Sequence, residues 1–476
     1  MKKNNKKNNL SIFRKYLCIL ITILSLLVGC LVYFINVFPF EYFIVFLIAM
    51  IIIDLLTGWL LLSKGNIKNF IGSFLALILI GVMTLGINYG LNTINFLKSL
   101  GFSEYKTENY NVLVLDSSPI TNLEELKGKA IAYMSHENNN GLSKAIDKIS
   151  SKITYKERIE NDVDKLVNSL KNKKVDAIVL EDAQLEILKE ESSNDYALLR
   201  KIANFNIDVK TGKVGKTVDV TKKSFNIYIS GIDTYGSINK VSRSDVNMLI
   251  TVNPTTKEIL LTNIPRDYYV KLHKNGKYDK LTHAGIYGIN ESINTIEDLL
   301  DTKINYYVKV NFTSVVDIID ALDGITVNSP YEFTSQDGYT YKIGDNILDG
   351  KKALSFARER KSFTEGDRVR GENQQRVLTA LINKVISPKI ITNYTNILSS
   401  LKGKFVTNID DEDITKLIKM QLKNGSSWDI KSISVDGTDS MDYVYSYSKT
   451  KLYVMKPDYK TVDNAKKQIK KVLENK

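Results

Sequence analysis

Three long apolar runs open the chain: Tyr16–Phe38 and Phe70–Leu97 carry no charged residue, and Tyr42–Ser63 carries only Asp54. A membrane span needs roughly 20 apolar residues, so residues 16–97 are expected to form three transmembrane helices behind a basic tail, residues 1–15. A cleaved leader has one shorter apolar core, which three successive runs do not resemble. The pattern then changes. Across residues 105–215 short apolar runs at Asn111–Leu115, Ala130–Met134 and Val175–Leu180 read as strands. Helical periodicity at Leu123–Leu126, Gly141–Ile149, Asp162–Leu170 and Ala183–Glu190 alternates with them, which predicts a small α/β accessory domain. Asn206–Thr221, with Gly212 and Gly215, reads as a linker.

Residues 220–476 are expected to form a second α/β domain. Phe225–Ile229, Val246–Val252, Glu258–Ile264 and Ile304–Val310 read as strands, with a turn at Asn253–Lys257. Tyr287–Leu300, Phe312–Leu322 and Leu348–Ala357 read as helices, and a further helix starts near Asp367. Phe312–Leu322 is apolar over more than a narrow stripe. It is either a core helix buried on all sides or one wall of a groove for a lipid tail. Asp411–Leu422, Trp428–Val435, Lys451–Val454 and Val462–Leu473 read as an α+β region completing this domain.

Charge fixes the expected topology. Residues 1–97 hold eight Lys/Arg against two Asp/Glu, so half of the formal +12 of this 476-residue chain sits there. Six of these cations precede the first span, and Lys64 and Lys68 lie between the second and third. The connection around Pro39 and Glu41 has none. The positive-inside rule then places the N-terminus in the cytoplasm and the large C-terminal region outside the cell membrane. The remainder is too weakly basic to argue for nucleic acid. Cys18 and Cys30 are the only cysteines, so the outer region can hold neither a disulfide, a thiol nucleophile nor a cysteine zinc site. Asp54, ionisable at membrane depth, either serves a function or pairs within the helix bundle.

Chemistry concentrates in two places. If the first three strands after residue 220 run up, down and up, one rim collects Asp233, Arg243, Asp245, Arg266 and Asp267. Each alone is an ordinary loop salt bridge; together they suit a metal-plus-phosphate site. Downstream, Arg358, Arg360, Lys361, Arg368, Arg370 and Arg376 fall within 19 residues, interleaved with Glu359, Glu365, Asp367 and Glu372. Arginine offers a planar fork that matches phosphate oxygens. Asp367, Arg370 and Gln374 share one helix face. Arg358 and Arg360 would point apart on a continuing helix, so the backbone is expected to extend between them if both meet one ligand. The plain alternative is a solvated, salt-bridged helix surface.

Two resemblances follow from these residues. I-T-N-L-E-E-L-K-G-K-A-I-A-Y (Ile120–Tyr133) and K-V-D-A-I-V-L-E-D (Lys174–Asp182) resemble fragments of extracellular solute-binding proteins, though an accessory or spacer role suits a segment with no evident ligand-gripping Arg or Asp. The run G-I-D-T…S-R-S-D-V-N-M-L-I-T-V-N-P…N-I-P-R-D-Y…K-L-T-H-A-G…F-A-R-E-R…G-D-R-V-R-G-E-N-Q-Q, over roughly residues 224–390, resembles the LytR–CpsA–Psr family of cell-wall enzymes, in its capsule-type branch with three spans and an accessory domain. The resemblance implies an α/β fold with a central mixed sheet flanked by helices. It implies phosphotransfer of a glycopolymer, capsular polysaccharide or teichoic acid, from an undecaprenyl-pyrophosphate carrier to a peptidoglycan sugar hydroxyl. It also implies Mg²⁺ or Mn²⁺ on Asp233 and Asp245, and pyrophosphate held by Arg243, Arg266, Arg358, Arg360 and Gln374. Lys280, Asp367 and Arg370 match further motif positions. The proton acceptor is Asp367 or Asp267, with His283 the alternative to a structural histidine. Two other readings stand beside this one: a polyprenyl-pyrophosphate pyrophosphatase, and a non-catalytic lipid-pyrophosphate-binding regulator of envelope assembly.

Overall fold

The computed structural model describes residues 2–36, 38–99, 105–135, 140–210, 215, 217–233, 238, 242–387, 401, 403–425 and 427–475. The chain divides into two compact units. One contains Met1–Gly101, Ile386–Lys402 and Asp410–Ser427; the other contains Phe102–Val385, Gly403–Ile409 and Trp428–Lys476.

In the first unit, three helices form as expected: α1 (Lys2–Ile35), α2 (Phe40–Leu62) and α3 (Asn66–Ser99). The stretches Ser11–Ile35, Phe40–Leu62 and Asn66–Asn95 are long and apolar enough to cross a membrane. Leu17, Ile21, Leu61, Ala76 and Met83 pack between them, while many other apolar side chains face outward, as lipid contact requires. The helix Asp411–Asn424 belongs to this unit rather than completing the second domain. Its Lys423 lies 3.1 Å from Glu41, and its Lys419 donates to Asn36 at 3.0 Å; both partners flank the α1–α2 connection.

The second unit begins with a five-stranded sheet in the order β3-β2-β4-β1-β5. Its elements are β1 (Tyr105–Leu115), β2 (Ala130–Met134), α4 (Asn140–Ser150), β3 (Lys156–Glu160), α5 (Val163–Lys171), β4 (Ala177–Glu181), α6 (Asp182–Glu191), α7 (Ser193–Ala197) and β5 (Leu199–Lys210). Leu123–Leu126, expected as a helix, contributes only a 3₁₀ turn, Glu124–Leu126. Neither β3 nor β5 was expected. β3 is a largely exposed edge strand of sequence Lys-Glu-Arg-Ile-Glu, with no apolar alternation to reveal it. β5 takes residues 206–210 out of the expected linker, because its pairing with β1 buries Phe205 and Ile207. Of the rest of that linker, Gly212 lies outside the described residues.

A six-stranded mixed sheet follows, in the order β16-β11-β6-β7-β8-β17. Strands β6 (Phe225–Ile232), β7 (Val246–Asn253) and β8 (Glu258–Ile264) pair antiparallel, as the up-down-up reading requires. Next come β9 (Tyr269–Lys271), β10 (Tyr278–Lys280), α8 (Leu281–Ala284) and α9 (Ile289–Leu300). Then β11 (Tyr306–Asn311) lies parallel to β6 and leads into α10 (Phe312–Ala321). The short strands β12 (Ile325–Ser329), β13 (Phe333–Thr334), β14 (Thr340–Tyr341) and β15 (Gly344–Leu348) precede α11 (Gly350–Arg358) and α12 (Asp367–Val385). Leu348, expected in a helix, ends β15; α11 begins after Asp349, whose carboxylate caps the Lys352 N–H. The chain closes with β16 (Val406–Thr407), β17 (Asp429–Ser434) parallel to β8, the hairpin β18 (Gly437–Val444) and β19 (Tyr447–Pro457), and a last helix, Tyr459–Glu474.

One face of the sheet is covered by α9 and the last helix, through Tyr228, Leu249, Leu260, Ile293, Ile296, Val462 and Ile469. On α12, Gln375 donates to the carbonyls of Leu261 in β8 and Ile433 in β17. Gly371 lets this helix lie close to β8, since a Cβ there would fall 2.4 Å from Asn263 Nδ2. The reading of Phe312–Leu322 as buried on all sides fails. Only Ser314, Ile319 and Leu322 are buried, and Phe312, Val316 and Ile318 are partly open to solvent.

Candidate active site

The site lies where β6 ends and β7 begins, beside the exit of β8. Alternating strand direction brings these together, so Asp233, Arg243, Asp245, Arg266 and Asp267 share one rim, as expected. Gly285 allows the turn after α8 to press on the segment entering β7; a Cβ there would meet Ser242 O at 2.7 Å and Ser244 N at 2.8 Å. That approach puts Thr282 Oγ1 3.0 Å from Asp245 Oδ1, to which it donates.

Arg266 is the hub. Its guanidinium contacts Asp245 at 3.1 Å, Asp267 at 3.3 Å and Asp367 of α12 at 3.8 Å. Burial works against its charge, but these three carboxylates outweigh that and hold the proton more tightly than usual. From α12, Arg370 donates to Asp367 at 2.9 Å; from the preceding loop, Arg360 approaches the same carboxylate at 3.7 Å. Arg358 lies 3.9 Å from Asp233 and stacks on the Phe312 ring at 4.1 Å. Glu359 between them has φ −65° and ψ 131°, the extended backbone that the pairing of Arg358 with Arg360 demands. Its buried carboxylate accepts from the N–H groups of Gln336, Arg360 and Ser362, so it anchors the loop instead of facing the ligand.

A cleft of about 200 Å³ opens beside this cluster, lined by Asp245, Arg266, Asp267, Asp367, Arg370 and Gln374 among others. Lys280 stands at the edge, 3.3 Å from Asp267. Arg243 turns to the carboxylate of Glu190, which takes both of its terminal nitrogens. His283 is buried and bonds at 2.7 Å to buried Asp279, which also accepts from Ser446; it ties the hairpin to α8 and has no access to the cleft.

The carboxylates carry opposite shifts. Burial and the Asp245 charge push the Asp233 carboxyl above its ordinary range, against Arg358, Arg266 and Arg370. Burial also opposes ionisation of Asp245, but Arg266, Arg243 and the Thr282 hydroxyl prevail and hold it below that range. Two hard oxygen donors whose charges repel suit a divalent cation that takes its other ligands from water and phosphate. Among the described residues no group of three or more His, Cys, Asp or Glu is placed to hold a metal alone. The pair therefore fits an ion shared with a phosphate substrate.

Thr282, Phe312 and Glu190 were not anticipated. They reach the site through tertiary contacts between segments far apart in the chain, and their local sequence carries no mark of it.

Residues 188–467, more than half of the chain, match the family model described as the LytR_cpsA_psr family. The chain belongs to the LytR_cpsA_psr family. Residues 98–211 match a second model, described as NMT1/THI5 like. Among similar LytR_cpsA_psr proteins is Enterococcus faecalis TagU, named a polyisoprenyl-teichoic acid–peptidoglycan teichoic acid transferase. It is 34% identical over 257 residues, covering 52% of this chain and 84% of that protein. Bacillus subtilis TagU, of the same name, is 34% identical over 225 residues, covering 47% and 68%. Of solved structures, B. subtilis TagV is 29% identical with a TM-score of 0.46, covering 54% of this chain and 99% of its own. TagT with bound octaprenyl pyrophosphate lipid is 29% identical with a TM-score of 0.41, covering 54% and 93%.

Proposed function

We propose that this chain is a membrane-anchored transferase that moves a glycopolymer from an undecaprenyl-pyrophosphate carrier onto a peptidoglycan sugar hydroxyl. The reading is carried by one observation: Arg266, Arg358, Arg360 and Arg370, from three separate segments, converge on the rim that holds Asp233, Asp245 and Asp367. The names of the curated relatives support it. Phosphoryl transfer asks for positioning and charge neutralisation more than for covalent help, and clustered guanidinium forks provide both.

In this reading the acceptor hydroxyl oxygen bonds to the phosphorus that carries the polymer. The bridging P–O bond breaks, polyprenyl phosphate leaves with the bridging oxygen, and a phosphodiester remains. Arg266, Arg358, Arg360 and Arg370 neutralise the pyrophosphate, and Gln374 and Lys280 flank it. Asp233 and Asp245 would hold Mg²⁺, which when bound neutralises charge on the phosphate oxygens. Asp367 is the better placed proton acceptor: its side chain is 28% exposed, against 9% for Asp267. The partly open apolar face of α10, beside Arg358, suits the carrier's first isoprene units.

Positive charges flanking the first span and between the second and third put the N-terminus in the cytoplasm. The contacts of Lys419 and Lys423 at the cation-free α1–α2 connection support an outer location for the helix Asp411–Asn424.

The test is the purified full chain with lipid-linked polymer and Mg²⁺, with and without peptidoglycan fragments. Transfer predicts a sugar–phosphate–sugar product that requires the fragments. Release of polymer phosphate without them would mark a pyrophosphatase, and tight binding without turnover would mark a regulator.

A further inference from the structure

Helix α6 belongs to the five-stranded region, yet its C-terminal end stands at the site. Glu190 engages Arg243 with both carboxylate oxygens, and Glu191 Oε1 lies 3.6 Å from Lys280 Nζ. The helix is firmly seated. Ala183 and Ile187 pack with Ile286, Val444, Tyr447, Leu452 and Val454, and Lys449 of the hairpin pairs with Asp195 just beyond α6. The Arg243 side chain is only 12% exposed, whereas Glu190 is 46% exposed. A carboxylate spread across a guanidinium fork uses the same two donors that a phosphate would take.

We propose that Glu190 is an internal anion that competes with phosphate for Arg243, so that a phosphate ligand gains this arginine only by displacing the carboxylate. The inference rests on the pyrophosphate reading of the site given above. A pyrophosphate carries more charge and can reach Arg266, Arg358, Arg360 and Arg370 as well, so it displaces the carboxylate. A lone phosphate engages fewer cations and loses Arg243 back to Glu190. The return of Glu190 thereby favours release of the monophosphate product over its retention.

The experiment measures calorimetric affinities of the detergent-solubilised full chain for inorganic pyrophosphate and inorganic phosphate, both with Mg²⁺. Close charge pairs couple by more than the 1.4 kcal/mol that corresponds to tenfold, so Glu190→Gln should tighten phosphate at least about tenfold. It should tighten pyrophosphate at least as much, because pyrophosphate bears the full cost of displacing the carboxylate in the wild type. Glu190→Ala should do the same, which guards against an effect peculiar to the amide. In an Arg243→Ala background, Glu190→Gln should change neither affinity. Unchanged affinities in both Glu190 variants, or tightening that persists undiminished in the Arg243→Ala background, would overturn the proposal. Arg266→Ala separates the two readings: it should lose pyrophosphate binding whatever Glu190 does. If Arg266→Ala binds as the wild type does, the pyrophosphate site itself is misassigned; if it loses binding while the Glu190 variants match wild type, only the competition is wrong.

Discussion

Single side chains set the chemistry of this rim. Removing one preorganised charge donor at such a site costs roughly 3 kcal/mol in transition-state stabilisation, about a hundredfold in rate. Arg266→Ala and Arg360→Ala should each lower transfer by at least that factor, measured as phosphodiester product, while circular dichroism shows a retained fold. Asp233 makes the opposite point. Its folded-state pKa is raised, so its ionisation opposes folding above that pKa, and the penalty disappears as pH falls below the normal carboxylate range. Asp233→Asn should therefore melt higher than wild type at neutral pH, with the two curves converging under acid, while transfer is lost. Lower thermal stability at pH 7 would contradict the mutual repulsion of Asp233 and Asp245. Most of these residues were legible in the sequence, because strand alternation alone assigns Asp233, Asp245 and Arg266 to a common edge. Glu190 was not, since an acidic residue near a helix end looks the same whether it faces water or an arginine.

At the level of elements, α11 and α12 deliver the cations from opposite sides of a short loop. Asp349 caps α11 and Glu359 pins the loop's N–H groups. Replacing a capping Asp by Ala costs about 1 kcal/mol, so Asp349→Ala should lower the urea midpoint modestly and leave transfer nearly intact. Glu359→Gln should act differently. Hydrogen bonds from the loop backbone overcome burial to hold its carboxylate below the ordinary range, so its stabilisation is full at neutral pH and fades as pH falls through the lowered folded value. The variant should lose substrate affinity through misplaced Arg358 and Arg360, read as a raised KM. The start of α12 at Asp367 and the extension at Glu359 could be inferred from residue spacing. The edge strands could not: β3 is mostly polar, and β16 is two residues long, so neither leaves a periodic trace.

For the molecule as a whole, the three apolar runs were plain from composition, because the bilayer tolerates little else. The membership of Asp411–Asn424 in the membrane unit was not, since its amphipathic pattern says only that one side is covered and nothing about by what. The proposed orientation has a direct test. After replacement of Cys18 and Cys30 by serine, a cysteine at the exposed Lys467 should react with a membrane-impermeant maleimide on intact cells, and one at Lys64 should react only after lysis. The split of the chain between the two units carries a practical corollary. Because the path leaves the first unit after α3, returns to it late in the chain, through Asp410–Ser427, and departs again, a protease site inserted between α3 and β1 should sever the backbone without releasing the second unit: both fragments should still sediment with the vesicles after cleavage.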